Sequence, residues 1–118
     1  MMKKVEEKKK LEEVFVLWKK TAKTDGKVYY KGHDFNNNYV VAWVNSTKQN
    51  PNEPDIRIYE DKEDGKEVAS LWERLDKNNK PYLSGTTNDK DKDRLVGWYD
   101  SEENEKRPYI RIYFSESK

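Results

Sequence analysis

The chain repeats itself. The segments LWKKTAKTDGKVYYKG from Leu17, YVVAWVN from Tyr39 and EPDIRIYED from Glu53 return as LWERLDKNNKPYLSG from Leu71, RLVGWYD from Arg94 and RPYIRIYFS from Arg107. Trp18 aligns with Trp72, Tyr29 with Tyr82, Gly32 with Gly85 and Trp43 with Trp98. Pro54, Ile56, Arg57, Ile58 and Tyr59 align with Pro108, Ile110, Arg111, Ile112 and Tyr113. The spacing stays near about 54 residues, with slips of about one in the loops, which marks duplication of one folding unit. Every element should occur twice, and so should any surface site that the unit carries.

The two copies should form one body. The chain has 118 residues, of which 40% are charged and only 33% apolar. That balance borders on the composition of disordered chains. Two features offset it: the net charge is +1, and 13% of the residues are aromatic, including four Trp and eight Tyr. Rings bury much area per residue, so a small core is feasible. One copy alone would bury half of it and leave open strand edges. The expected division is a charged tail over residues 1–13, either a frayed helix or disordered, then repeat 1 over 14–61. A polar turn over 62–67 around Gly65 leads into repeat 2 over 68–118.

Each repeat reads as four strands. They are expected over residues 14–21, 27–33, 39–45 and 55–60, and again over 68–76, 80–86, 94–100 and 109–114. Asp25-Gly26 and Asn78-Asn79 are tight-turn signals. Eight short β-rich segments with regular turns predict an all-β fold, a sandwich or barrel-like body with an internal pseudo-twofold.

Alternation assigns faces. Ile56 and Ile58, like Ile110 and Ile112, point one way, and Arg57 with Tyr59, like Arg111 with Tyr113, point the other. The isoleucines should be core, with Leu17, Leu71, Val41 and Val96. The third strands are apolar on both faces and so are expected to be covered on both. Ala42 and its counterpart Gly97 are small, which implies a bulky neighbour there. Tyr30 and Leu83 share one face of the second strands, Tyr29 and Tyr82 the other, half-solvated one.

Much chemistry has no residues to carry it. There is no Cys and one His, His33, so thiolate sites and His-based nucleophilic triads are not expected. The five Gly are scattered singly, without a phosphate-cradling loop. Asp89, Asp91 and Asp93 alternate with lysines and lead into a strand, so they read as a solvated loop and not a calcium site. No catalytic metal, no cofactor and no enzymatic activity are expected. No apolar run approaches the roughly 20 residues of a membrane span. No secretory signal is visible at the N-terminus, so a cytoplasmic protein is expected.

One constellation stands out. Arg57, Tyr59, Arg111 and Tyr113 share the non-isoleucine face, with Tyr29, Tyr82 and Lys31, and with Trp18 and Trp72 nearby. Cations interleaved with rings on a sheet are what single-stranded nucleic-acid binders use. The same residues can serve the sheet alone, each Arg covering a ring and pairing with a cross-strand acid. Net neutrality opposes strong nonspecific binding. Lys19, Lys20, Lys27 and Lys31 form a local basic stripe in the first copy, where the second has Glu73 and Asp76.

The blocks LWKKTAKTDGKVYYKG and PDIRIYE resemble the W-K-K-[TS]…G-x-x-Y and P-D-x-R-[VI]-[YF] blocks of short proteins of a domain-of-unknown-function family carried on bacterial plasmids, conjugative elements and phages. The second copy is similar but looser, with Glu73 in place of Lys and Tyr109 in place of Asp55. The resemblance implies a phage or mobile-element setting and a β-rich cytoplasmic protein. Two functions stay open. One is a nucleic-acid accessory protein favouring single strands. The other is a protein-interaction module docking on a host protein through charged loops at 87–93 and 100–106.

Overall fold

The structure, a computed structural model, describes residues 13–90, 92–100 and 107–115. The expected tail lies outside these residues except for Glu13, and the loop at 101–106 lies outside them too. Among the described residues eight strands run in chain order: β1 (Glu13–Thr21), β2 (Val28–Asp34), β3 (Tyr39–Val44), β4 (Ile56–Glu60), β5 (Glu67–Leu75), β6 (Pro81–Thr87), β7 (Arg94–Tyr99) and β8 (Ile110–Phe114). Each pairs antiparallel with the next, and β8 pairs with β1, so the sheet closes into a barrel without an edge. Glu13 and Glu67, expected in the tail and in the inter-repeat turn, are the first residues of β1 and β5.

Registers in the two halves correspond residue by residue. Leu17 faces Gly32 as Leu71 faces Gly85. Tyr30, Ala42 and Ile58 line up across β2–β4 as Leu83, Gly97 and Ile112 do across β6–β8. Ile56 faces Leu71 as Ile110 faces Leu17. Even the bulges agree: the register slips between Ile58 and Tyr59 against β5, and between Glu13 and Phe15 against β8. Such bulges sharpen the bend of a wall.

The interior is packed in cross-strand rows that mix large and small residues. One runs Tyr30–Ala42–Ile58–Ala69 and another Leu83–Gly97–Ile112–Phe15. Two more run Ile56–Leu71–Gly85–Leu95 and Ile110–Leu17–Gly32–Val40. Every row holds a Gly or Ala, because eight full side chains per layer do not fit inside an eight-stranded wall. The bulky neighbour expected beside Gly97 is Ile112, whose Cγ1 would lie 2.9 Å from a Cβ there. At Gly32 a Cβ would fall 1.7 Å from the Val16 carbonyl oxygen, and at Gly85 1.9 Å from that of Ser70. Backbone meets backbone at these two points, so only glycine fits.

The turns are short and self-capped. Asp34 accepts hydrogen bonds on Oδ1 from the backbone N–H of Asn36 and Asn38, and Asp76 from those of Asn78 and Lys80. Asn37 and Asn79 then take the left-handed conformation that Asn tolerates, at φ 66° and 64°. The Asp25-Gly26 signal produces a wider loop than a two-residue hairpin turn, because Ala22 closes it by pairing with Lys27 and β2 begins only at Val28.

One core assignment is corrected. Leu17, Leu71, Ile56, Ile58, Ile110 and Ile112 are buried inside, but Val41 and Val96 point outward and are half-buried. Val40 and Leu95 take the inward places beside Ala42 and Gly97. The third strands are apolar on both faces, so alternation could not choose the inner one. Nor is their outer face covered: Tyr39 is 72% exposed and Trp43 49%.

Two stability results follow. Gly32→Ala should cost about 1–3 kcal/mol or more in urea unfolding, as overpacking against backbone does. Ile112→Ala should cost about 2–5 kcal/mol while Val96→Ala costs about 1 kcal/mol or less. Equal losses for Ile112→Ala and Val96→Ala would contradict the observed facing of β7.

Candidate nucleic-acid interface

Inward packing of aliphatic side chains turns the rings and cations outward. Across the wall from β1 to β5, one outer row reads Lys20, Tyr29, Trp43, Arg57 and Ser70, each the register partner of the next. The adjacent row reads Trp18, Lys31, Val41, Tyr59 and Glu67. Tyr29 and Trp43 stack, with centroids 5.2 Å apart and planes at 27°. Of the seven candidate residues, Tyr29, Lys31, Arg57 and Tyr59 therefore meet on one wall, around a tryptophan that was expected to be covered.

Arg111, Tyr113 and Tyr82 belong elsewhere. Arg111 and Tyr113 lie on β8, beside Trp98 and Val96 of β7, and Tyr82 lies on β6 facing Arg74. Trp98 is 44% exposed and tilts against Tyr113 at 5.7 Å. Strands β3 and β7 are four apart in a ring of eight, so the two sets stand on opposite sides. The seven residues form two platforms and not one site.

Both arginines are clamped by an acid. Arg57 Nη1 donates to Glu67 Oε2 at 3.2 Å, and the same oxygen accepts the Ser70 hydroxyl at 2.8 Å. Arg111 Nη1 donates to Glu13 Oε2 at 2.8 Å. Glu13 and Glu67 are themselves repeat-related, each opening the E-V-x-x-L-W run of its copy. The cross-strand acid expected by the sheet-serving reading is present in both halves. The guanidinium groups stay accessible all the same, with side-chain exposures of 37% and 45%. Each clamp holds its Arg beside a tryptophan and leaves donors facing solvent.

The two other tryptophans differ in role. Trp72 donates its indole N–H to the Asn52 carbonyl at 2.9 Å, which ties the 45–55 loop to β5. Trp18 meets the His33 ring at 5.8 Å. Lys31 pairs with Asp61 at 3.4 Å. These outer-facing residues, with Tyr39, border a pocket of about 400 Å³ over β1–β3.

At the barrel end opposite that of Tyr39, ionisable groups serve the fold. Burial pushes the Asp55 carboxyl up, but the Glu73 backbone N–H at 2.8 Å and the Lys48 ammonium at 3.0 Å outweigh it and hold the group below its usual range. Burial, reinforced by the Glu73 carboxylate, pushes the Tyr99 phenol far above its usual value, so it stays neutral against the Tyr109 ring. Among the described residues, no three His, Asp or Glu side chains cluster as metal ligands.

Two measurements check this geometry. A carboxyl depressed on folding contributes stability above its unfolded pKa of about 3.9 and loses it as pH falls through the lower folded value. Thermal melts between pH 5 and pH 3 should therefore fall less steeply for Asp55→Asn than for the parent protein, and equal slopes would remove the assigned role of the pair. Arg57→Ala should cost only about 0–1 kcal/mol, because its ion pair is partly solvated. A larger loss in chemical unfolding would mean that Arg57 is structural. No protein-family model, no curated protein and no solved structure matches the chain.

Proposed function

We propose that this barrel is a non-enzymatic binding module for single-stranded nucleic acid, in the setting of a phage or other mobile element. The observation that carries the reading is the outer row Lys20, Tyr29, Trp43 and Arg57, a ring pair flanked by cations across four adjacent strands. Successive bases stack on such rings whatever their sequence, and the cations meet the phosphates. Lys20, Lys27 and Lys31 put a local basic stripe on and beside β1 and β2, which offsets the low net charge of +1. The barrel is apolar inside and charged outside, the reverse of a barrel that spans a bilayer. An internal pseudo-twofold relating residues 14–61 to 68–118 would supply the second platform around Trp98 and Arg111, and the matched registers support it.

A second reading is a module docking on a host protein. Leu75, 63% exposed, and Val44, 42% exposed, lie at one end of the barrel, where they offer apolar area that a phosphate backbone does not use. Of the two loops considered for this role, 87–93 is described except for residue 91, and 101–106 is not.

Fluorescence anisotropy with a labelled oligo-dT strand tests the first reading. Binding should weaken steeply with added salt. Trp43→Ala should remove about 1–3 kcal/mol, at least a five-fold loss, with the melting temperature nearly unchanged. Absence of binding at micromolar protein and low salt would reject the reading, and salt-insensitive capture of one host protein that Leu75→Asp abolishes would favour the second.

A further inference from the structure

The pocket over β1–β3 is bordered by residues that the second copy does not repeat. Trp18, Lys20, Lys31, His33, Tyr39 and Asp61 border it. At the aligned positions of the other copy stand Trp72, Arg74, Ser84, Thr86, Arg94 and Ser115, so one ammonium, the imidazole, one ring and the carboxylate are all missing there. A duplicated fold does not require these differences. They concentrate at one spot, where two rings, two ammonium groups and one carboxylate converge on about 400 Å³, within the range of roughly 300–1,000 Å³ typical of small-ligand sites.

We propose that this pocket binds one phosphorylated nucleotide whose base carries an exocyclic amino group. The base lies against Trp18 and Tyr39, two outward rings on β1 and β3 that border the same space. Tyr39 is 72% exposed, so its ring is open to a ligand. The phosphate lies at Lys20, which has no ion-pair partner among the described residues, while Lys31 is already held by Asp61 at 3.4 Å. A phosphate avoids the Asp61 carboxylate and goes to the opposite, cationic side. The carboxylate in turn accepts from an amino group on the base edge. Asp61 is fixed for that role by its backbone N–H, which donates to the Tyr39 carbonyl at 3.0 Å. Thymine and uracil lack the amino group and present carbonyl oxygens on either side of their one donor, which the carboxylate repels.

Lys20 is also the register partner of Tyr29, at the edge of the Tyr29–Trp43 stack. In the single-strand reading, on which this part of the inference rests, the pocket then captures one amino-bearing base at the end of a track that otherwise does not choose among bases. The pocket itself is tested without a strand.

The experiment is a titration of the whole protein with GMP, UMP and inorganic phosphate, followed through the indole N–H signals of the four tryptophans in nitrogen-edited NMR. GMP at millimolar concentration should shift the Trp18 signal and leave that of Trp98 in place. UMP should bind at least three-fold more weakly. Lys20→Ala and Tyr39→Ala, both at exposed positions, should each weaken GMP at least three-fold, and Asp61→Asn should narrow the difference between GMP and UMP. An unmoved Trp18 signal, equal affinity for GMP and UMP, or the same shift with inorganic phosphate alone would overturn the proposal. If GMP is silent while oligo-dT still binds through Trp43, the pocket inference fails and the strand reading stands. If GMP shifts Trp18 while oligo-dT does not bind, the strand reading fails and the pocket stands.

Discussion

Close backbone contact at two glycines governs this molecule. Where β1 crosses β2, and again where β5 crosses β6, the strands bend so tightly that a carbonyl oxygen occupies the place of a Cβ on Gly32 and Gly85. That curvature lets eight strands of five to nine residues close on themselves. Closure in turn makes a chain with one-third apolar residues foldable. An open sheet of this size needs a second layer to cover it, whereas a barrel covers its own inner face. Leu17, Leu71, Leu83, Leu95, Ile58, Ile110 and Ile112 are the largest fully buried side chains of that interior, and the closed sheet leaves no edge for another chain to extend.

The same closure decides where the rings go. Once the aliphatic face of each strand turns inward, the alternate residues must face out, including Tyr29, Trp43, Tyr59, Trp98 and Tyr113. An outer face this rich in rings is more than solubility calls for. Two glutamates at repeat-related positions fix an arginine beside a tryptophan on opposite walls. A clamp of this kind contributes little to stability at a partly solvated site. It restricts a long side chain to one geometry, which would lower the entropic cost of binding in the role proposed for it.

Much of this was legible in the sequence, and what was not has a physical reason. The eight strands lie within about a residue of their expected bounds, because turn residues and the repeat mark them twice. The inward isoleucines follow from strict alternation with Arg and Tyr. The facing of β3 and β7 did not follow, since both faces of YVVAWV and RLVGWY are apolar. The signal that could have settled it was size: Ala42 and Gly97 are small because Ile58 and Ile112 face them from inside, which sends Trp43 and Trp98 out. The acid partners of the arginines are not legible there, because Glu13 and Glu67 stand one place before the first apolar residue of each copy, where no alternation marks them as strand. The pocket at Trp18 does not show in the sequence, because it joins side chains of β1, β2, β3 and Asp61 that only the cross-strand registers bring together.

The closing seam is the most direct test of the whole account. Leu17 on β1 faces Ile110 on β8, and the Leu17 carbonyl accepts the Tyr109 N–H at 2.8 Å, between residues at opposite ends of the chain. Nuclear Overhauser contacts between the backbones of β1 and β8, with hydrogen-exchange protection in both strands as slow as in β4 and β5, are the expected result. A β1–β8 pair without such contacts, with amides exchanging as fast as those of the loops, would mean an open sheet. Neither the packed interior nor the Glu13–Arg111 clamp across the seam would survive that result.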